Sequence, residues 1–473
     1  MMATTPALEV RSAQEVRAGA VLAVLSAASF LASLDLFIVN VAFEHMGRSF
    51  PGASLADLSW VLNGYAIAYA ALLIPLGRLA DRFGRKAGFL LGLGLFTAAS
   101  AACAASTGLW GLVFSRVAQA VGAALLTPTS LGLLLNATPP DRRTRAVRIW
   151  AAVGSLAAAA GPVAGGLLVE LSWEWVFLVN LPVGVVALLA AVRLLPDSRD
   201  SARGPLPDLL GAGLLGVAMG ALSLALVKVE EWGWADARTG VSLLGSAVAG
   251  GLFWWRSGGH PAPVIEPALL RVRTFAWANL SAFVFSVAFA ANLLASILWM
   301  QEVWHYSALR TGLAIAPGPL MVPLFASVGQ RLSRRVEAGW LAALGCVLFA
   351  VGATLSMVGV EAVPNYLTGL LPGWMLSGVG VGLVIPTLLA SATVELPPTR
   401  TATGSAVVNM SRQVGMALGV SLLVALVGAS VGGERQAAFG HVWIAVALLS
   451  LCAAPLSFGV STASSALSGS HRR

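Results

Sequence analysis

Fourteen stretches of roughly 20 apolar residues, joined by short polar connections, leave this chain few ways to fold. Each is as long as a helix must be to cross a hydrocarbon layer about 30 Å thick. They centre on 18–43, 57–76, 87–106, 109–133, 146–169, 174–195, 209–228, 240–256, 275–300, 308–328, 337–358, 366–391, 402–429 and 440–460. The runs are continuously apolar rather than alternating, which excludes a β-barrel. Composition agrees: only 11% of the residues are charged, against about 25% in a soluble domain. Too little polar surface remains to solvate a globule, so lipid is the solvent for most of the chain. The expected class is an all-α integral membrane protein.

The basic residues orient the spans. Residues 1–17 are polar, with Arg11 and Arg17, and the run that follows is longer than a secretory signal core, so it reads as a retained first span starting in the cytoplasm. On that assumption the inside loops hold Arg78, Arg82, Arg85 and Lys86, then Arg142, Arg143, Arg145 and Arg148, then Arg193, Arg199 and Arg203. Further on come Arg256, Arg271 and Arg273, then Arg331, Arg334 and Arg335, with Arg472 and Arg473 at the end. Roughly 22 basic residues fall inside, about 5 outside and 2 within spans, as the positive-inside rule requires. An even number of spans puts both termini in the cytoplasm, and the expected location is the inner (plasma) membrane. These loops also account for the net charge of +8, so nucleic acid is not an expected partner. Cys103, Cys346 and Cys452 lie singly in apolar runs, without metal or disulfide spacing.

The loop GRLADRFGRK (77–86) has a weaker counterpart, GQRLSRR (329–335), eight spans later. Two six-helix halves, 1–195 and 275–473, separated by a linker with two extra helices, 196–274, explain that spacing. The polar stretch 196–208 is the natural hinge between them.

Chemistry is sought in ionisable groups inside spans, because each costs at least about 2.5–3.5 kcal/mol at mid-bilayer. Asp35 in the first span, Arg116 in the fourth and Arg412 in the thirteenth stand out. A carboxylate facing a cavity can take a proton on one side and release it on the other, or pair with a cationic substrate; satisfaction by a neighbouring helix is the structural alternative. Arg116 cannot lose its charge and must find a carboxylate, carbonyls or water; Gln119 shares its helix face. A network with Asp35 and a clamp on backbone carbonyls are both open. Ser405, Asn409, Arg412 and Gly419 form one stripe, with Gln413 a turn from Asn409; it faces a cavity or glues helices. The small-residue segment GSLAAAAGPVAGG (154–166), with Pro162 inside, permits close packing and a bend.

These residues resemble the major facilitator superfamily, specifically its fourteen-span drug:proton antiporter branch. The loop carries the superfamily pattern at Gly77, Leu79, Asp81, Arg82, Gly84, Arg85 and Lys86, which the resemblance makes a gate on the cytoplasmic side. RVAQAVGAA resembles the helix-4 motif, whose arginine, Arg116 here, is implicated in proton coupling. Gly161, Pro162, Gly165 and Gly166 match the helix-5 antiporter signature, and LDLFIVNVA resembles the branch's helix-1 motif with Asp35 and Asn40. The match spans nearly the whole chain. Phe37, Glu44 and Glu174 depart from it, where the branch usually has Thr, Pro and Arg.

The resemblance implies proton-coupled efflux of small lipophilic or cationic organic compounds by alternating access, with Asp35 and Arg116 coupling protons and Asn40, Gln119, Asn409, Arg412 and Gln413 in the cavity. It implies a monomer in the bilayer, small molecules and protons as partners, and no cofactor beyond the proton gradient. A dedicated exporter of one natural product or lipid is the nearest rival. A peptide importer lacks its E-x-x-E-R cluster in the first span. An integral-membrane enzyme lacks converging catalytic groups, since the five histidines sit in loops or at span ends, and a channel lacks a ring of like charges.

Overall fold

Backbone amides buried in hydrocarbon have no water to bond, so each apolar run satisfies itself as a helix. The computed structural model describes residues 5–196, 205–397, 400–428 and 433–460. Residues 197–204 of the expected hinge, with Arg199 and Arg203, lie outside the described residues, as do His471, Arg472 and Arg473. Fourteen long helical segments follow one another: α1 (Gly19–Ser49, continuous with helix from Thr5), α2 (Leu55–Phe83), α3 (Arg85–Ala104), α4 (Leu109–Ala137), α5 (Arg143–Val169), α6 (Trp175–Leu194) and α7 (Leu209–Trp232). Then come α8 (Ala237–Gly259), α9 (Arg273–Val303), α10 (Ala308–Leu332), α11 (Ala338–Gly359), α12 (Leu370–Val394), α13 (Thr401–Val427) and α14 (Gly433–Ser457).

Thirteen of these are apolar enough, over a sufficient length, to cross a membrane. The exception is α8, the expected eighth span. Its 23 residues would reach about 34 Å, but glycine, serine and an arginine near each end dilute its apolar content.

Local chemistry sets the helix ends. Ser54 and Asp57 form a reciprocal capping box at the start of α2, where Ser54 Oγ accepts from the Asp57 amide at 3.1 Å and Asp57 Oδ2 accepts from the Ser54 amide at 3.2 Å. Gly84, at φ 129°, breaks α2 from α3 in a backbone region that side chains avoid. Asp208 caps α7 by accepting from the Gly211 amide at 2.8 Å and also takes Arg256 Nε at 2.7 Å, which ties α7 to α8.

Helices α1–α6 pack on one another, as do α9–α14, and the two groups meet where α2 lies on α13 and α5 on α10. The extra pair α7 and α8 lean on each other, with α7 also against α2 and α13. This is the expected arrangement of two six-helix halves and two central extra helices. Leu91, Phe114, Val186, Leu244 and Val358 are all more than 60% exposed, an apolar belt suited to lipid rather than water.

The connections at residue 84 and around 142 and 335 are rich in arginine, the one at 400 adds Arg400, and together they define a basic face. The groups close on each other at the opposite face. There Gln301 Nε2 donates to the Val41 carbonyl at 3.0 Å, and the Leu309 amide to Glu170 at 3.4 Å. A Cβ on Gly166 would stand 2.6 Å from the Ala308 oxygen and 2.8 Å from Leu309 Cα, backbone atoms that cannot step aside. Gly166→Val should therefore destabilise the protein by about 1–3 kcal/mol, read as a lower apparent melting temperature in detergent. Gly94→Val, where nothing lies within 4 Å, should leave it unchanged. Equal melting of both variants would show that this seam does not form.

Candidate functional site

Asp35 sits on α1 with none of its surface accessible, and Arg116 on α4 is 1% exposed. Two bare charges in that position would be prohibitive, and the structure pairs them: Arg116 Nη1 donates to Asp35 Oδ2 at 2.6 Å. The same nitrogen donates to Gln119 Oε1 at 2.5 Å, while Gln119 Nε2 donates to Asp35 Oδ1 at 2.8 Å and to Ser100 Oγ at 2.8 Å. Asn180 Nδ2 on α6 approaches Asp35 Oδ1 and Ser100 Oγ, each at 3.4 Å. Arg116 Nε reaches the Val61 carbonyl of α2 at 3.3 Å. The flat face of the guanidinium lies 4.1 Å from the Tyr65 ring centre and 5.7 Å from that of Phe177. Both open readings of Arg116 thus describe part of one arrangement, a carboxylate network with a carbonyl clamp.

The position of Asp35 is built by the glycines of α5. A Cβ at Gly161 would meet Phe37 Cβ at 2.9 Å, and one at Gly165 the Ile38 oxygen at 2.8 Å, so α1 presses against α5 just past the acidic residue. On the other flank Pro162 and Gly166 of α5 touch Gly312 and Ala308 of α10. The segment read as a packing and bending motif is the layer between the carboxylate-bearing helix and the second group.

The loop motif lies apart from this network, at the basic face. Arg85 Nε donates to Asp81 at 2.5 Å, and Arg82 lies over Phe83 at 5.7 Å. Gly77 takes the Pro128 ring of α4, which a Cβ would meet at 3.1 Å, and Lys86 is partly exposed. Arg78 adds a link not read from sequence: it donates to the Pro263 carbonyl at 2.7 Å and to Glu266 at 2.9 Å, tying α2 to the connection before α9.

Between the groups, Asn40, Asn63, Tyr65 and Arg116 face Ala290, Met416, Ala417 and Val420 across a cavity of about 30 Å³. That is far below the roughly 300–1,000 Å³ of a small-molecule site. Asn40 donates back to the Leu36 carbonyl at 3.0 Å. Asn63 Nδ2 donates to Ser421 Oγ at 3.0 Å, a polar bridge from α2 to α13. Farther along α13, Arg412 Nη1 donates to Asn409 Oδ1 at 3.3 Å, while Gln413 lies beside them with its buried oxygen unbonded. Gly419, on the expected stripe, instead packs against the α9 backbone at Val287.

Ser100, Asn180, Tyr65 and Phe177 were not singled out from sequence. Asn180 carried a usable signal, a lone amide inside an apolar run, whereas serine and aromatic residues are too common in spans to point anywhere.

Fold and site together define a polytopic membrane protein of two helical groups, the first built around a buried ion pair. The chain belongs to the Major Facilitator Superfamily, whose model matches residues 25–420. It is 31% identical over 435 residues to the methylenomycin A resistance protein of Bacillus subtilis (strain 168), covering 90% of this chain and 91% of that one. It is 33% identical to a cephamycin export protein of Amycolatopsis lactamdurans, covering 91% and 90%. The tetracenomycin C resistance and export protein of Streptomyces glaucescens is 32% identical, covering 85% and 74%. In fold it resembles a POT family transporter crystallised with a thioalcohol-conjugated peptide, at TM-score 0.68 and 17% identity over 91% of this chain and 94% of that one.

Asp35→Asn or Arg116→Gln alone leaves the other charge buried without a counter-ion and should cost about 3–5 kcal/mol. The double variant, which removes both charges, should cost less than the sum. Melting temperatures of the four proteins in detergent test this; additive losses would show that the pair is not coupled.

Proposed function

We propose that this protein is a proton-coupled exporter of small lipophilic or cationic organic compounds, of the drug and antibiotic kind, working by alternating access in the inner membrane. The basic face and both termini are cytoplasmic in this reading. The observation that carries it is the buried Asp35–Arg116 pair, a titratable carboxylate held inside one helical group with no exposure to either face in this state. The names of the relatives, resistance and export proteins, support the direction of transport.

In the cycle, residues 1–195 and 275–473 rock as two bodies joined by 196–274. Asp35 takes a proton from outside and gives it to the cytoplasm while substrate moves outward, and Arg116 sets how readily the carboxylate gives it up. The loop 77–86, with its Asp81–Arg85 pair, gates the cytoplasmic side. The collapsed cavity beside Asn40 and Arg116 widens only as the bodies part. The protein acts as a monomer, catalyses no covalent chemistry and needs no bound cofactor, because the proton gradient supplies the energy.

A dedicated exporter of one natural product is the second reading. It is favoured by relatives whose names each give one compound, such as methylenomycin A and tetracenomycin C. Inverted membrane vesicles under an imposed proton gradient, given a fluorescent lipophilic cation and then a panel of antibiotics, separate the readings. Wild-type vesicles should accumulate substrate only with the gradient, and Asp35→Asn vesicles with equal protein should not. Uptake of many compounds supports the broad exporter and uptake of one the dedicated exporter. Gradient-driven uptake that survives in Asp35→Asn would remove Asp35 from the coupling path.

A further inference from the structure

Among the described residues, the interiors of the two helical groups hold three charges that matter at the gap between them, and only two neutralise each other. Asp35 is saturated: one oxygen accepts from Arg116, and the other from Gln119 with Asn180 close by. With no accessible surface it offers a ligand nothing in this state. The other described acidic residues sit at helix ends or in connections.

Arg412 on α13 is different. It is partly buried and has no acidic partner among the described residues; its one hydrogen bond, at 3.3 Å, goes to the neutral Asn409, and its buried Nε–H has no acceptor. A guanidinium keeps its charge and presents five N–H donors in a fixed fork that matches a carboxylate. Its helix face is the one that matters: Asn409, Arg412, Gln413, Met416 and Val420 recur at helical spacing, and Met416 and Val420 line the central cavity. Gly415 packs on α9 and Ser421 bonds Asn63 of α2, so the face between them turns toward the narrow gap between the two helical groups. Across the gap Tyr69 of α2 is the electrostatic neighbour of Arg412, and its hydroxyl donates to Thr127 at 3.0 Å.

Resting on the exporter reading above, we propose that Arg412, with Asn409 and Gln413, is the anchoring site for the acidic group of the transported molecule, so that the preferred substrates are lipophilic acids carrying a carboxylate or a similar anion. The uncompensated charge facing the gap is positive, and a ligand anion satisfies the free Nε–H and the remaining donors of the fork. The apolar body of the ligand then lies along Met416, Val420, Ala290 and Leu293 toward the cavity. The Gln413 amide, unbonded in this state, is free to turn its NH₂ toward the same anion.

Equilibrium binding without a proton gradient tests this apart from coupling. The full chain, in nanodiscs of neutral lipid, is given ring-tritiated 2-naphthoate, 2-naphthamide and 2-naphthylmethylamine, with empty nanodiscs subtracted. The acid should bind about tenfold or more tightly than the amide or the amine, as a charge-assisted bidentate contact provides. Arg412→Gln should erase that preference while amide binding persists, which shows the variant to be folded, and Arg412→Lys should restore most of it. Equal binding of the three probes, tightest binding of the amine, no binding of the acid, or a preference that survives Arg412→Gln would overturn the proposal. Failure of the exporter reading shows separately, as absence of gradient-driven uptake in vesicles.

Discussion

A carboxylate and a guanidinium, both out of reach of solvent, meet at 2.6 Å inside the first helical group, and five helices are arranged to let them do so. Either charge alone would be costly enough there to drive water in or push the helix out, so each partner makes the other possible. Satisfying the pair takes more than the pair. Further bonds to the pair come from Gln119 of α4, Asn180 of α6 and the Val61 carbonyl of α2, and Ser100 of α3 accepts from Gln119 behind them. The network therefore specifies how α1, α2, α3, α4 and α6 stand relative to one another, which apolar contact between near-identical Leu and Ala surfaces would leave poorly defined.

Small residues then decide how closely helices approach. In lipid there is no hydrophobic gain in bringing two apolar helices together, so contact must come from backbone-to-backbone fit. Gly161 and Gly165 bring α5 onto α1 beside Asp35, Gly166 brings it onto α10, and Gly122 sets α4 against α3 at Phe96. The same helix, α5, thus touches the charge-bearing helix on one side and the opposite group on the other. A shift of α1 at Asp35 is felt at the seam with α10 through a single layer of glycine contacts. That is a short mechanical path from the buried ion pair to the closure between the groups.

Much of this was legible in the residues. Spans announce themselves because hydrocarbon forces every crossing segment to be long, apolar and helical; only α8, thinned by glycine and serine, reads less apolar than its role in the fold. Asp35, Arg116 and Gln119 were visible because charged and amide groups are rare in such segments, and Arg116 with Gln119 three residues on had to share a face. What spacing could not give was the partner helix. Asn180 reaches Asp35, and Ser100 reaches Gln119 and Asn180, from helices that sequence order does not place beside them, and Tyr65 is a ring like any other until Arg116 lies 4.1 Å from its centre. The Arg78–Glu266 link escaped for the same reason, since 188 residues separate its ends. Of the two roles left open for the 405–419 stripe, Gly419 takes helix-to-helix packing, since its missing side chain lets α9 come close.

The chemistry of the network also determines what a proton arriving at Asp35 must do. Protonation would remove the only negative charge that the described residues place within hydrogen-bond reach of Arg116, leaving a guanidinium held by one amide oxygen, one backbone carbonyl and the rings of Tyr65 and Phe177. Aromatic faces contribute about 2 kcal/mol when desolvated, well short of a lost buried ion pair at about 3–5 kcal/mol. The deficit is relieved by water reaching Arg116 or by Arg116 moving toward water, and the nearest route is the gap between the two helical groups at Asn40 and Asn63, where the cavity now holds about 30 Å³. In the proposed cycle, where Asp35 takes up the proton, the loss of the buried ion pair ties that uptake to the parting of the helices.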